Sequence, residues 1–222
     1  MFMSAGTAWE ISKSCLVVLT ALFPIVNPLG NTPIFLSLTP GYSTSARAIL
    51  ARKITLNSYW LLLGSMLIGS HILDFFGISI PVVQLGGGLV VISTGWTLLR
   101  QEAEQSRSNA QKKITSQDIA NRAFYPLTLP LTVGPGSISV ALTIGANQSP
   151  HRDSFTRLIA AIIGTALVAL TIYLSYRFAE RVARLLGETA MNVIVRLTSF
   201  ILLCIGVQIM WNGVRALVWS LR

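Results

Sequence analysis

Six long stretches of the chain contain no Asp, Glu, Lys or Arg, and this spacing of charges constrains the fold more than any other feature. A helix needs about 20 apolar residues to cross about 30 Å of hydrocarbon. Charged residues make up only 11% of the chain, whereas a soluble domain carries about 25%. The sequence therefore predicts a membrane protein. The charge-free stretches are Ser14–Ala46, Ile54–Leu73, Phe75–Leu99, Ala123–His151, Leu158–Tyr176 and Leu197–Val214.

The apolar character of both faces of these stretches favours helices over barrel strands. A barrel strand alternates polar and apolar residues over about ten positions, but the run at 158–170 is apolar on every side. We predict an all-α membrane protein, with its first apolar run retained as a span instead of being removed as a signal peptide. The six transmembrane helices are predicted near 14–38, 54–73, 78–99, 123–147, 157–177 and 191–216.

The distribution of basic residues predicts the orientation. The loops after spans one, three and five hold eleven of the 17 Lys and Arg residues, and the other side holds five. Because basic loops stay in the cytoplasm, we expect both termini in the periplasm of a bacterial inner membrane. This bias also accounts for the net charge of +9, so we expect no nucleic-acid partner. The remaining basic residue, Arg196, falls inside span six.

The only long polar segment, 100–122, divides the spans into three plus three. We interpret it as a cytoplasmic linker between a first repeat at 1–99 and a second at 123–222. When the halves are aligned, Pro24 meets Pro130, Gly30 meets Gly136 and Asn31 meets Ser137. Gly77 likewise falls on Gly187, and Gly95 on Gly206 after a slip of one residue. Two three-span units in one chain enter the membrane from opposite sides, so the predicted repeat is inverted.

Span one contains Asn27-Pro28-Leu29-Gly30-Asn31-Thr32-Pro33, which a helix interior tolerates poorly. Each Pro lacks an N–H and disfavours helix in the residue before it. Mid-membrane, such a segment persists only where protein or a polar cavity takes the freed groups. We therefore predict a half-helix that ends near Val26, a short unwound turn, and a second half-helix that starts near Pro33.

Span four repeats this pattern with Thr132-Val133-Gly134-Pro135-Gly136-Ser137. Interrupted helices in the first span of each half are typical of a transporter binding site. Half-helix N–H groups attract a carboxylate, and unwound carbonyls attract a cation, so a zwitterionic amino acid suits both. A simple Pro kink is the alternative interpretation. The predicted substrate-binding residues are Asn27, Pro28, Gly30, Asn31, Thr32, Thr132, Gly134, Pro135, Gly136, Ser137 and Arg196.

The stretches at 27–35 and 126–136 resemble the two signature segments of the MarC family of six-span bacterial inner-membrane proteins, which is more distantly similar to LysE-type exporters. The resemblance covers essentially the whole chain and implies a small-solute transporter. Some members are assigned to neutral amino-acid transport, and the family name reflects multiple antibiotic resistance. One departure concerns span six, where members tend to carry Arg-x-x-Gly and this chain reads Arg196-Leu197-Thr198-Ser199.

Arg196 has two interpretations, a substrate ligand or a residue that snorkels to the interface. None of the eight acids falls at mid-membrane, so an Asp/Glu proton relay has no candidate. Neither His belongs to a metal or catalytic spacing, and the two Cys, Cys15 and Cys204, lie in apolar runs. We therefore expect no cofactor, no metal and no enzymatic activity.

The favoured function is secondary transport of small neutral amino acids or similar solutes, in which one half rocks against the other around the paired breaks. The alternative is an accessory or drug-efflux protein with no amino-acid transport. The predicted partners are the lipid bilayer and a small-molecule substrate. The sequence leaves open whether Na⁺ or H⁺ is coupled, which direction transport takes, and whether the chain forms a homo-oligomer.

Overall fold

The computed structural model describes residues 5–100, 122–146 and 154–220, and the regular secondary structure in these ranges is entirely helical. Most of the predicted linker at 100–122 lies outside the described residues. The helices are α1 (Ala5–Val26), α2 (Thr32–Ser37), α3 (Thr44–Phe75), α4 (Ile80–Arg100), α5 (Ala123–Thr132, π-helical), α6 (Pro135–Ala146), α7 (Ser154–Arg177) and α8 (Ala179–Ser220).

Within the described ranges, five helices are long and apolar enough to cross a membrane. The helices α5 and α6 form a sixth candidate if they count as one span, and they are bent by 67° relative to each other. Each predicted span therefore corresponds to one helix or to one interrupted pair. The prediction of an all-α membrane protein is confirmed.

Three helices extend well beyond the predicted spans, and the first of them, α1, begins at Ala5 instead of near 14. The helix α3 begins at Thr44 because Ser43 caps it, with Ser43 Oγ accepting from the Ala46 N–H at 3.2 Å. The helix α8 begins at Ala179 and turns sharply at Gly187, whose φ of 72° is a left-handed conformation that favours glycine. A boundary drawn at the first charge misses such extensions, because a helix can continue past the charges that end its apolar segment.

The two halves of the chain interleave. The helices α1 and α3 pack mainly on α7 and α6, while α4 packs on α8 and α6. Among the described helices, no two of the same half pack extensively on each other, and α7 and α8 touch only slightly. Within the described residues neither half has a helical core of its own, which disfavours a movement in which one half rocks against the other.

The largest helix–helix contact is the antiparallel crossing of α4 and α8, which small residues allow. A Cβ on Gly88 would lie 2.8 Å from the carbonyl oxygen of Gly206. A Cβ on Gly95 would lie 3.0 Å from the carbonyl oxygen of Ser199, which is fully buried. Ser199 stands where the resembling family tends to have Gly, so the close packing at this position is retained with Ser.

The end of the bundle where α3 and α8 begin, here named the basic face, carries an ion pair between the halves. Arg47 Nη1 pairs with Glu180 Oε1, and Arg47 Nη2 also donates to the Thr39 carbonyl oxygen at 2.8 Å. Thr44 Oγ1 donates to the other oxygen of Glu180 at 3.3 Å. The segment between α2 and α3 is therefore fastened to α8. The basic face also carries Arg52, Lys53, Arg100, Arg122, Arg177, Arg181 and Arg184.

Candidate functional site

The first break lies between α1 and α2, where the sequence predicts it. The helix α1 ends at Val26, and Asn27 takes a left-handed conformation with φ 47°. Asn is among the few residues other than Gly that adopt this conformation readily. The chain then turns, with the Asn31 N–H donating to the Asn27 carbonyl oxygen at 3.0 Å, before α2 begins at Thr32. The predicted half-helices, ending near Val26 and starting near Pro33, are confirmed.

The second break lies at Val133 and Gly134, between α5 and α6. The segment before it differs from the regular half-helix predicted, because α5 is π-helical with extended backbone at Tyr125 and Leu129. Each of these residues precedes a proline, and the proline ring disfavours the helical conformation in its predecessor. The prolines Pro126 and Pro130 therefore distort the whole segment before the break.

Side chains satisfy many of the carbonyl groups that the breaks release. Asn31 Nδ2 donates to the Val26 and Leu131 carbonyl oxygens, both at 2.9 Å, and so joins the two breaks. Thr32 Oγ1 donates to the Pro28 carbonyl at 3.0 Å, and Thr132 Oγ1 donates to the Leu127 carbonyl at 2.6 Å. These carbonyl groups already have donors, so they are less available to a cation than the sequence-based prediction assumed.

A cavity of about 70 Å³ lies between the two breaks. Seven of the eleven predicted binding residues line it, namely Asn27, Asn31, Thr132, Gly134, Pro135, Gly136 and Ser137. Its remaining walls are Ile25, Pro130, Leu131, Val90, Val91 and Thr94 of α4, and Leu202 of α8. Drug-sized ligands occupy pockets of about 300–1,000 Å³, so this cavity suits a much smaller solute.

The other four predicted residues lie outside the cavity lining. Pro28, Gly30 and Thr32 are buried in the first break and shape its turn. Arg196 is exposed on α8 and does not line the cavity. Of the two interpretations of Arg196, its exposure agrees better with an interfacial residue.

The side-chain amide of Asn27 is the most informative group in the cavity. Its Oδ1 accepts from the Gly30 N–H at 3.2 Å. Its Nδ2 is buried and has no hydrogen-bond partner, and the residue is only 8% exposed. A buried donor without a partner costs about 1–3 kcal/mol. A buried donor without a partner, in a residue that lines a cavity, is the kind of group expected where a ligand or a water binds.

The N-terminus of α6 provides further donors on the same cavity. Pro135 is the first residue of α6, and the N–H groups of Gly136 and Ser137 belong to the first turn, which has no acceptors within the helix. Ser137 Oγ accepts from the Gly134 N–H and donates to the Gly134 carbonyl, both at 3.1 Å. No charged side chain is among the described residues that line the cavity. The site therefore offers polar donors and a helix dipole to a ligand with an acceptor group.

The sequence-based prediction missed Tyr176 at the end of α7. Its hydroxyl lies 2.9 Å from Thr132 Oγ1, and its ring stacks on Phe35 of α2 with 4.6 Å between centroids and an interplanar angle of 4°. Tyr176 thereby supports the residue that precedes the second break and the half-helix that follows the first. A signal was present, because a Tyr buried in an apolar span needs a partner for its hydroxyl.

A second, wider cavity of about 370 Å³ adjoins the first. The two cavities share Asn31, Thr94, Pro130 and Leu131. The wider one extends toward the basic face, and its other lining residues are Leu38, Ser93, Thr97, Leu98 and Pro126.

Comparisons with known proteins match most of this chain to one family of membrane proteins. The family model for MarC family integral membrane proteins matches residues 12–218. UPF0056 membrane protein YvbG of Bacillus subtilis is 31% identical over 202 residues, which cover 90% of this chain and 93% of the relative. UPF0056 inner membrane protein MarC of Escherichia coli O1:K1 is 30% identical over 94% of this chain and 97% of its own. A UPF0056 membrane protein of Archaeoglobus fulgidus is 31% identical over 87% and 89%. No solved structure matches.

Proposed function

This chain belongs to the MarC family of integral membrane proteins, and on that premise we propose that it is a secondary transporter of small neutral amino acids or similar small solutes. The observation that carries the proposal is that Asn27, whose buried Nδ2 has no hydrogen-bond partner, lines a cavity between two interrupted helices. Interrupted helices that meet around a small polar cavity are typical of transporter binding sites.

The donors around the cavity favour a solute that carries a carboxylate or a similar acceptor. The N–H groups at the start of α6 are free to donate to such a group, the α6 dipole favours negative charge there, and a small movement of the Asn27 side chain would add its unpartnered Nδ2. The cavity of about 70 Å³ favours a small molecule such as glycine or alanine. The proposed substrate-binding residues are those of the predicted set that line the cavity, namely Asn27, Asn31, Thr132, Gly134, Pro135, Gly136 and Ser137.

We further propose that the fold is a 3+3 inverted repeat. In support, Gly77 and Gly187, which align between the halves, both have positive φ, of 66° and 72°. Gly87 of α4 lies against α6 near Gly136. Gly30, which aligns with Gly136 between the halves, lies against Thr198 of α8. Each third span thus packs on the half-helix that follows the break in the opposite half.

The interleaved packing suggests which elements move. The helices α4 and α8 make their largest contact with each other, and together they form one wall of the cavity. We propose that the α4–α8 pair shifts as a unit against the broken helices and exposes the cavity to each side in turn.

The excess of Lys and Arg on the basic face supports a cytoplasmic location of that face and periplasmic termini. The name of the Escherichia coli relative supports placement in an inner membrane.

The decisive test is transport by purified protein in liposomes. We expect uptake of radiolabelled glycine or alanine, and we expect Asn27→Gly to reduce it at least tenfold. Asn212→Ala is the matched control. This amide is exposed on α8 and lies outside the cavity lining, and its Oδ1 accepts from Gln208 Nε2 at 3.0 Å. Imposed Na⁺ and proton gradients identify the coupling ion. Absence of uptake across a broad panel of small solutes, with correct folding verified, would refute the proposal.

The alternative, an accessory or drug-efflux function, predicts altered drug susceptibility in a deletion strain and no amino-acid uptake.

We also propose that the chain has no enzymatic activity. The described cavity lining contains hydroxyl groups but no His, Lys, Asp, Glu or Cys that could activate one of them. Hydrolysis of a peptide or ester substrate by the purified protein would contradict this proposal.

A further inference from the structure

The residues 178–186, here named the surface segment, connect the last two spans at the basic face. The candidate spans on either side are Phe155–Arg177 and Thr189–Trp219. At 1.5 Å per residue the first of them is about 35 Å long, which is enough to cross the hydrocarbon core. The helix α7 ends at Arg177, and the chain turns again at Gly187. The surface segment therefore lies between two spans at the membrane surface.

One side of the surface segment packs on the protein. Ala179 is only 1% exposed. Glu180 pairs with Arg47 through one carboxylate oxygen and accepts from Thr44 Oγ1 at 3.3 Å through the other. These contacts hold the segment sideways against the start of α3, so it does not project freely from the bundle.

A second side of the surface segment is apolar and exposed. At about 100° per residue, the apolar side chains Phe178, Val182, Leu185 and Leu186 fall within one arc of about 100°. Leu185 is 85% exposed, the highest value for a large apolar side chain within the described residues. Leu186 is 43% exposed and Phe178 is 37% exposed. A continuous apolar arc of this kind, placed at a membrane surface, fits the boundary between headgroups and acyl chains.

A third side of the surface segment is basic. Arg181 and Arg184 are both exposed and lie about 60° apart around the helix. The guanidinium groups of Arg177 and Arg181 lie 5.9 and 5.4 Å from the ring centroid of Phe178, so positive charge borders the apolar arc. Arg184 Nε donates to the Glu180 carbonyl oxygen at 3.3 Å. Guanidinium groups suit phosphate because their N–H donors match its oxygens.

We propose that the surface segment is an amphipathic interfacial helix that docks on acidic phospholipids of the leaflet at the basic face. Leu185 and Leu186 enter the acyl region, and Arg181 and Arg184 bind the headgroup phosphates. An acidic headgroup is favoured over a zwitterionic one because Glu180, the only acid of the segment, already pairs with Arg47. The proposal does not depend on which solute, if any, the protein transports.

Spin labels measure the depth of the surface segment in the full chain. In a background of Cys15→Ala and Cys204→Ala, which removes both native thiols, Leu185→Cys and Arg184→Cys each carry one nitroxide in nanodiscs that contain phosphatidylglycerol. Oxygen concentrates in hydrocarbon, whereas a nickel chelate stays in water. We expect the ratio of oxygen to nickel collision rates to be at least threefold higher at position 185. Position 184 is the matched control, because it is adjacent and exposed but lies on the basic side.

The lipid composition tests the basic side. In nanodiscs of phosphatidylcholine alone, we expect the nickel collision rate of the label at position 185 to rise at least twofold. Arg181→Gln combined with Arg184→Gln should produce the same rise while phosphatidylglycerol is present. Arg100→Gln is the control and should cause no rise. Arg100 is also exposed on the basic face with its guanidinium 5.5 Å from an aromatic ring centroid, that of Trp96, but it lies outside the surface segment.

Each other outcome overturns part of the proposal. Equally high nickel collision rates at positions 184 and 185 would show that the segment lies in water, and membrane docking would be refuted. Low rates for both oxygen and nickel at position 185 would show that protein covers it, either a second copy or another part of the chain, and lipid docking would again be refuted. A deep label that does not respond to phosphatidylglycerol or to the arginine changes would refute recognition of acidic lipids.

Discussion

The side-chain amide of Asn31, in the first half of the chain, donates to the backbone carbonyl of Leu131, in the second half, at 2.9 Å. The same nitrogen also donates to the Val26 carbonyl at the end of α1. One side chain therefore completes two interrupted helices at once. This arrangement joins the breaks that line the cavity and explains why they lie together although 100 residues separate them.

Removing the Asn31 amide should destabilise the protein. Asn31→Ala leaves the Val26 and Leu131 carbonyls without their side-chain donor, and we expect a loss on the order of 2 kcal/mol in the free energy of unfolding. Chemical unfolding in detergent measures this loss. The control is Ser37→Ala, which removes an exposed hydroxyl that donates only to the Ile34 carbonyl and should cost less than about 0.5 kcal/mol. Equal stability of the two variants would contradict the role of Asn31.

Because Asn27 has a left-handed conformation, a Gly variant at this position should be more stable than an Ala variant, which is the reverse of their order in a helix. Gly adopts φ near 47° freely, whereas a Cβ without a hydrogen-bonding side chain is strained there by about 1–2 kcal/mol. We expect Asn27→Gly to be more stable than Asn27→Ala by about 1 kcal/mol, and both to lose transport. Thermal unfolding in detergent checks the order. An Ala variant as stable as the Gly variant would show that the turn relaxes.

The three consecutive glycines of α4 should differ sharply in their tolerance of a methyl group. A Cβ on Gly88 would meet the Met210 nitrogen at 2.7 Å and the Gly206 carbonyl oxygen at 2.8 Å, whereas a Cβ on Gly86 meets nothing within 4 Å. We expect Gly88→Ala to be destabilising by about 1–3 kcal/mol. Gly86→Ala should be neutral or stabilising by up to about 1 kcal/mol, because Ala favours helix more than Gly does. Similar unfolding midpoints for the two variants would argue against the α4–α8 crossing.

The Tyr176 hydroxyl and ring should contribute separately. Tyr176→Phe removes the hydrogen bond to Thr132 and keeps the stack on Phe35, so we expect a loss of about 1 kcal/mol. Tyr176→Leu removes both interactions and should cost about 1 kcal/mol more than Tyr176→Phe. A double-mutant cycle compares the unfolding free energies of Tyr176→Leu, Phe35→Leu and the variant that carries both changes. A coupling energy near zero would show that the stack contributes nothing.

The position of the first break was predictable because its causes are local. Pro28, Gly30 and Pro33 act on their own and adjacent backbone groups, so Val26 as the end of α1 and Thr32 as the start of α2 follow from the sequence. The pairing of Gly88 with Gly206 could not be predicted. Choosing a partner depends on how two distant segments meet, and no single segment of sequence contains that information.

The π-helical form of α5 and the capped carbonyls were not predicted. The backbone before Pro126 and Pro130 can relax in more than one way, and the choice depends on the packing of α5 against α3. The second donor bond of Asn31 depends on α5 arriving beside α2, which is a tertiary event. The role of Tyr176 was missed for the same reason, because it acts on breaks that belong to other helices.

The interleaving of the halves has a consequence for biogenesis. The helices α1–α4 leave the ribosome first, yet the surfaces they bury belong almost entirely to α6, α7 and α8. During synthesis they must wait in the bilayer as loosely associated segments, and the polar residues of the first break stay without their partner at Leu131. The finished protein therefore forms only after the last spans are inserted, and a chain truncated after α4 would be a substrate for membrane quality control.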